Sequence, residues 1–192
     1  MSKGRVDGVP PRYAAATMDG WVLTDERQEA LLLQARSIIE NFGSAHMVFG
    51  RNIAISGNAG SGKTHLAVAM AKAIGETHKV RYVRSIRELI REQRESWREG
   101  AIKPESECME DFVWWDLLII DEFGKGADSK ADRDFMYELL NMRYDSKKPT
   151  MLITNFTWKM LPDFMGEQLY GRMILEDCDK LLMAWPSYRG AV

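Results

Sequence analysis

The chain has 192 residues, 45% of them hydrophobic and 28% charged, with a formal net charge of −2. This suits one domain with a buried core and excludes a chain that grips nucleic acid by bulk positive charge, so any such contact needs a local basic patch. Two cysteines, Cys108 and Cys178, are too few for a disulfide framework and lack metal-site spacing, which leaves two reduced thiols.

No apolar run nears the roughly 20 residues that a membrane helix needs. The start, "MSKGRVDGVPPR", lacks the apolar core of a signal peptide, so the expected location is the cytoplasm. Residues 1–12, with Gly4, Gly8, Pro10 and Pro11, read as a flexible leader, and 13–192 as a single domain. A helix is expected from Thr24 to Asn41, with Thr24 or Asp25 as N-cap and Gly43 as C-cap. Its apolar stripe is Leu31, Ala35, Ile38 and Phe42.

The short apolar run "NIAIS" (Asn52–Ser56) reads as a strand, and a helix follows from Lys63 to about Glu76. "KVRYVR" (Lys79–Arg84) suits a strand and Ser85–Gly100 a helix. "DLLIID" (Asp116–Asp121), apolar between charges, suits a strand buried on both faces. Residues 130–146 read as a helix and Thr150–Thr154 as a strand. Two short helical pieces parted near Pro162 and Gly166 lead to a last strand, Lys180–Trp185. Strands alternating with helices imply a three-layer α/β domain around a parallel sheet of about five strands.

Between the first strand and its helix lies "GNAGSGKT", a complete G-x-x-x-x-G-K-[ST] phosphate loop. Glycines let backbone N–H groups converge on phosphate oxygens, and the helix aims its positive end at the same point. The candidate nucleotide contacts are Gly57, Asn58, Ala59, Gly60, Ser61, Gly62, Lys63, Thr64 and His65. Lys63 is placed to reach the β- and γ-phosphates, and the Thr64 hydroxyl to ligate Mg²⁺.

Asp121 ends the apolar strand and is the second Mg²⁺ residue, acting through water; Glu122 follows as the group that polarises the attacking water. An Asp-Glu pair after a phosphate loop points to a P-loop ATPase of the additional-strand class. In that class one more strand lies between the phosphate-loop strand and the Asp strand. No Asn-Lys-x-Asp guanine reader is present. Asn155, directly after "TMLIT", falls beside Glu122 in that strand order and suits a sensor of the γ-phosphate.

Arg87, Arg91, Arg94 and Arg98 recur at helical spacing with Trp97 among them, the combination of phosphate contact and stacking that a single-strand channel uses. Interleaved Glu88, Glu92, Glu95 and Glu99 equally suit (i, i+4) ion pairs on a solvated helix. The loop carrying Lys125, Ser129 and Lys130 is a second DNA candidate.

With these residues the chain resembles AAA+ ATPases of the DnaC/DnaI type, the loaders of replicative helicases, from about Arg12 onward. "PPRYAAATMDGW" resembles the segment before the ATPase core, and "SGNAGSGKTHLAVAMAKAI" and "DLLIIDEFG" the nucleotide motifs. Those motifs are shared with IstB-type transposition helper ATPases, whereas the ending "LMAWPSYR" resembles the DnaC-like one. "MGEQLYGRMI" resembles the loader segment whose arginine acts on a neighbour's ATP, which assigns Arg172 that role in trans. Trp97 aligns with an aromatic implicated in DNA binding.

The resemblance implies ATP and Mg²⁺ as cofactors, ATP hydrolysis, self-association into a spiral or ring-like oligomer, and partnership with single-stranded DNA and a replicative helicase. Loaders of this family carry a separate helicase-gripping N-terminal region, and only about a dozen residues precede the similarity here. The alternatives are an IstB-like helper that prefers duplex DNA, or a non-hydrolysing adaptor that blocks a host helicase or loader. No separate helical lid is expected after the last strand. Pro186 is expected to end that strand, Trp185 and Tyr188 to pack back on the core, and Arg189 to stand in as nucleotide sensor.

Overall fold

The computed structural model describes residues 4–21, 23, 25–96 and 105–188. Its strands are β1 (Arg5–Asp7), β2 (Asn52–Gly57), β3 (Lys79–Val83), β4 (Leu117–Phe123), β5 (Thr150–Thr154) and β6 (Cys178–Met183). They form one sheet in the order β1-β3-β4-β5-β2-β6, and every pairing is parallel. The helices are α1 (Arg27–Glu40), α2 (Met47–Phe49), α3 (Lys63–Ile74), α4 (Ile86–Ser96), α5 (Glu105–Trp114), α6 (Lys130–Asp145), α7 (Leu161–Met165) and α8 (Glu167–Tyr170).

Alternation along the strands builds two cores. Ile53, Ile55, Leu117 and Ile119 face one way, toward Leu31 and Ala35 of α1 and Leu66 and Met70 of α3. Ala54, Leu118 and Ile120 face the other, toward Leu89 of α4, Phe112 of α5 and Leu139 of α6. The central strands are buried on both faces, so they read as continuous apolar runs. The three-layer parallel architecture is therefore as expected, and β5 lies between β2 and β4 as the additional-strand class requires.

Several expectations need correction. Among the described residues the sheet has six strands rather than five, because part of the expected leader, Arg5–Asp7, pairs with Lys79–Arg81 of β3. Three residues are too few to show strand periodicity, and Val6 fits only because Gly75 has no side chain in its way. Helix α5 has no counterpart in the sequence reading. The last strand is Cys178–Met183, not Lys180–Trp185, because its partner β2 starts at Asn52 and turns into the loop after Gly57.

The N-cap of α1 is Glu26 rather than Asp25, because the helix starts at Arg27; Asp25, one residue earlier, accepts the Arg27 backbone N–H at 2.9 Å, and Thr24 lies outside the described residues. The left-handed terminus after α1 is not at Gly43. A π-helical turn (Phe42–His46) and α2 carry the chain on to Gly50, at φ 74°. There a Cβ would sit 2.9 Å from Lys147 Cα, so only glycine fits. Both cysteines are free thiols, and burial pushes the Cys178 thiol up to about 12. Among the described residues no helix is long and apolar enough to cross a membrane.

Candidate nucleotide-binding site

The site sits at the carboxyl ends of β2, β4 and β5, where a parallel sheet leaves its crevice. Strand β2 delivers the chain to Gly57, and α3 begins at Lys63 with Gly62 as its N-cap at φ 99°. A Cβ on Gly62 would lie 2.8 Å from the Trp21 ring, so glycine is required by both conformation and contact. Lys63 Nζ reaches back over the loop and donates to the carbonyls of Gly57 (2.9 Å) and Asn58 (2.6 Å).

The Thr64 hydroxyl donates to Asp121 Oδ2 at 2.7 Å, joining the start of α3 to the end of β4. The Tyr82 hydroxyl, from β3, donates to the same Oδ2 at 2.7 Å, and the Glu122 backbone N–H to Oδ1 at 2.7 Å. Burial first, and the Asp121 charge second, push the Tyr82 phenol far above its ordinary range, so it stays protonated and donates.

Strand β4 then bulges. Ile120 lies opposite Leu152 and Phe123 opposite Thr154, so one extra residue is accommodated. Glu122 takes up the distortion at φ 45°, a left-handed conformation that costs about 1–3 kcal/mol in a non-glycine residue. The Thr154 hydroxyl donates to the Phe123 carbonyl at 2.6 Å and closes the ladder beyond the bulge. Glu122 is exposed and lines a cavity of about 510 Å³ together with Lys63, Thr64, His65, Asp121 and Asn155. Ala59, Gly60 and Gly62 also line it, whereas Gly57, Asn58 and Ser61 form the base of the loop and do not.

Two walls of the cavity were not read from the sequence as site residues. Arg12, Tyr13, Gly20 and Trp21 form one and Tyr188 the other. Lys72 Nζ, on α3, fixes the first wall by donating to the carbonyls of Tyr13 (3.1 Å), Ala14 (2.5 Å) and Ala16 (3.0 Å). The segment after β6 fixes the second. Trp185 Nε1 donates to the Ser61 carbonyl at 2.9 Å, Asn58 Nδ2 to the Trp185 carbonyl at 3.2 Å, and the Tyr188 N–H to the Gly60 carbonyl at 3.0 Å. Trp185 and Tyr188 thus pack back as expected, but onto the phosphate loop itself, and the strand ends before Pro186 reaches it.

Trp21 meets His65 and Tyr188 edge-on, with ring centroids 5.4 and 6.4 Å apart. Burial, with Lys72 adding, lowers the His65 pKa and favours its neutral form. Trp21 Nε1, Ser61 Oγ and Tyr188 Oη are buried without a hydrogen-bond partner among the described residues. The aromatic residues of "PPRYAAATMDGW" were the available sequence signal for the first wall; nothing in their spacing shows that they reach the loop.

Other candidate residues lie away from the cavity. Arg172 donates to Asn141 Oδ1 at 2.6 Å and sits 5.3 Å over the Tyr144 ring, on the α6 face. Arg94 pairs with Asp132 in the first turn of α6 at 2.5 Å, and Arg87 pairs with Asp128 in the loop before it, so these two arginines bridge to α6 and its approach. Ser129 is the N-cap of α6, its hydroxyl accepting the Asp132 N–H at 3.1 Å in a capping box. Lys130 is exposed at the first position of that helix. Trp97, Arg98 and Arg189 lie outside the described residues.

The donor set fits a nucleotide with Mg²⁺. That ion takes one or two hard protein oxygens and completes its shell with water and phosphate, and the Thr64 hydroxyl and Asp121 carboxylate already face each other. No cluster of three or more acidic, His or Cys side chains exists among the described residues to hold a metal independently of a ligand.

Comparison with known proteins agrees with this geometry. The family model of IstB-like ATP binding proteins matches residues 25–189. The replicative helicase loader DnaC of Escherichia coli (strain K12) is 27% identical over 187 residues, which cover 96% of this chain and 74% of the loader. A crystal structure of the DnaC helicase loader superposes with a TM-score of 0.78 at 25% identity, over 90% of this chain and 99% of that one. The crystal structure of DnaI shares the fold, with a TM-score of 0.70 at 17% identity over 95% and 94% of the two chains. The chain therefore belongs to the IstB-like ATP-binding proteins, as an AAA+ P-loop protein of the DnaC loader type.

Proposed function

We propose that this protein binds and hydrolyses ATP with Mg²⁺ and serves in DNA replication as a loader that brings a replicative helicase onto single-stranded DNA. The observation that carries the reading is the Thr64–Asp121–Glu122 arrangement at the mouth of a complete phosphate loop. Lys63 and the loop amides bind phosphate oxygens. Thr64 and Asp121 hold the metal, which neutralises phosphate charge when bound. Glu122, aimed into the cavity by the β4 bulge, orients and deprotonates water, and Asn155 beside it reads the γ-phosphate. The aromatic end, at Tyr13, Trp21 and Tyr188, receives the base.

Arg172 lies outside its own chain's cavity, which suits action on a neighbour's ATP in a spiral or ring-like oligomer. A guanidinium that arrives only on docking makes hydrolysis report assembly. DNA contact falls to the arginine helix with Trp97, helped by Lys130. Arg189 completes nucleotide sensing.

Co-purification with a replicative helicase, with and without ATP, tests the partner, and anisotropy with single- and double-stranded oligonucleotides tests the DNA. The loader reading expects helicase capture modulated by ATP and a preference for single strands that Trp97→Ala weakens while ATP affinity holds. The match to IstB-like proteins favours a second reading as a transposition helper. A preference for duplex with no helicase capture would select it.

A further inference from the structure

The geometry points to Tyr82 as the positioning residue that keeps the metal-holding carboxylate aimed when Mg²⁺ and nucleotide arrive. This deepens the proposed Mg²⁺·ATP reading and rests on it.

Among the described residues Asp121 accepts three hydrogen bonds. Two come from groups belonging to the site: the Thr64 hydroxyl on Oδ2 and the Glu122 N–H on Oδ1. The third, from Tyr82 on Oδ2 at 2.7 Å, comes from β3 behind it. Tyr82 is 2% exposed, is absent from the cavity wall and belongs to the core shared with α3. It therefore acts through Asp121 and touches no ligand itself.

The two donors on Oδ2 have different fates. A threonine hydroxyl that gives a lone pair to a metal can still donate its proton to the carboxylate, but its oxygen must sit where the metal requires. The phenol has no such second partner. Its ring is fixed in the core, so its bond holds Oδ2 independently of where the metal draws the threonine. A charge-assisted bond of this length holds both the rotamer and the charge of the carboxylate. Supporting bonds of this kind commonly decide about 10- to 100-fold in metal affinity.

The test uses Tyr82→Phe, which keeps the ring and deletes only the donor. Binding of a fluorescent ATP analogue is titrated with Mg²⁺ and separately measured in excess EDTA, and the unfolding midpoint is followed in parallel. The expected result is about a tenfold rise in the Mg²⁺ concentration for half-maximal binding, with binding in EDTA unchanged. Tyr82→Trp, should the Phe variant be poorly folded, places an N–H donor on a larger ring and serves as the second test of the same Mg²⁺ response. A Mg²⁺ curve for Tyr82→Phe that superimposes on wild type, or a lower midpoint with no change in Mg²⁺ response, overturns the assignment and leaves the nucleotide reading intact. A wild-type protein whose nucleotide binding ignores Mg²⁺ altogether overturns both.

Discussion

The indole N–H of Trp185 donates to the carbonyl of Ser61 at 2.9 Å, so a residue after the last strand holds a peptide inside the phosphate loop. A trans peptide points its C=O and N–H in opposite directions. Tying the Ser61 carbonyl to Trp185 therefore turns the Gly62 N–H away from Trp185, and Gly62 lines the cavity. The loop is pre-organised for an anion by a side chain that does not line the cavity.

Trp185→Phe removes that donor while keeping an aromatic ring in a 2% exposed site. A single buried hydrogen bond contributes about 1 kcal/mol, so nucleotide affinity should fall roughly three- to tenfold. Titration with a fluorescent nucleotide measures it, and an unchanged affinity would reduce the contact to core packing.

Lys72→Met leaves the carbonyls of Tyr13, Ala14 and Ala16 without their ammonium. The wall carrying Trp21 should loosen. The expected outcome is several-fold weaker nucleotide binding, with turnover of bound nucleotide at saturation little changed. Steady-state kinetics separates the two, because loss of uniform binding raises KM and spares kcat.

Arg143 is fully buried and donates to the carbonyls of Phe112 (2.7 Å), Trp115 (3.2 Å) and Pro149 (2.6 Å) and to the Thr150 hydroxyl (3.0 Å). It closes the end of α5 and pins that helix to β5. Burial pulls its pKa down to about 9. Arg143→Met strands several buried acceptors, and urea unfolding should show a loss on the order of 3 kcal/mol.

Acid stability should depend on Asp179. A hydrogen bond from His46 is the main influence that holds its carboxyl below the ordinary value; burial opposes it and Arg51 assists. A depressed carboxyl contributes stability that is present above its unfolded pKa of about 4 and is lost as pH falls through the folded value. Asp179→Asn should lower the thermal midpoint at pH 7 and flatten its fall below about pH 4. A variant whose midpoint drops with acid as steeply as wild type would exclude this role.

What was legible in the sequence follows from how local its cause was. The β2–loop–α3 unit declared itself because phosphate chemistry imposes glycines and a lysine at fixed spacing. Asp121–Glu122 did so because a buried strand ending in acid is rare. Asn155 followed from strand order alone. By contrast, β1 is too short to carry a period, and Tyr82 looks like any strand aromatic until β3 is paired with β4. Trp21 and Trp185 reach the loop through contacts across long stretches of chain. Ser129 enters the sequence reading as a DNA candidate, and its capping of α6 shows only once Asp132 is placed.

Mg²⁺-dependent ATP turnover tests whether Glu122 drives hydrolysis together with an arginine from a neighbouring subunit. Wild type, Glu122→Gln, Arg172→Ala and an equal mixture of the two variants are compared. Each variant alone should lose at least about 10²-fold, while the mixture should recover a measurable part of the wild-type rate because some joints unite an intact Glu122 with an intact Arg172. Equal rates for wild type and Glu122→Gln, or a mixture no faster than its components, would contradict it.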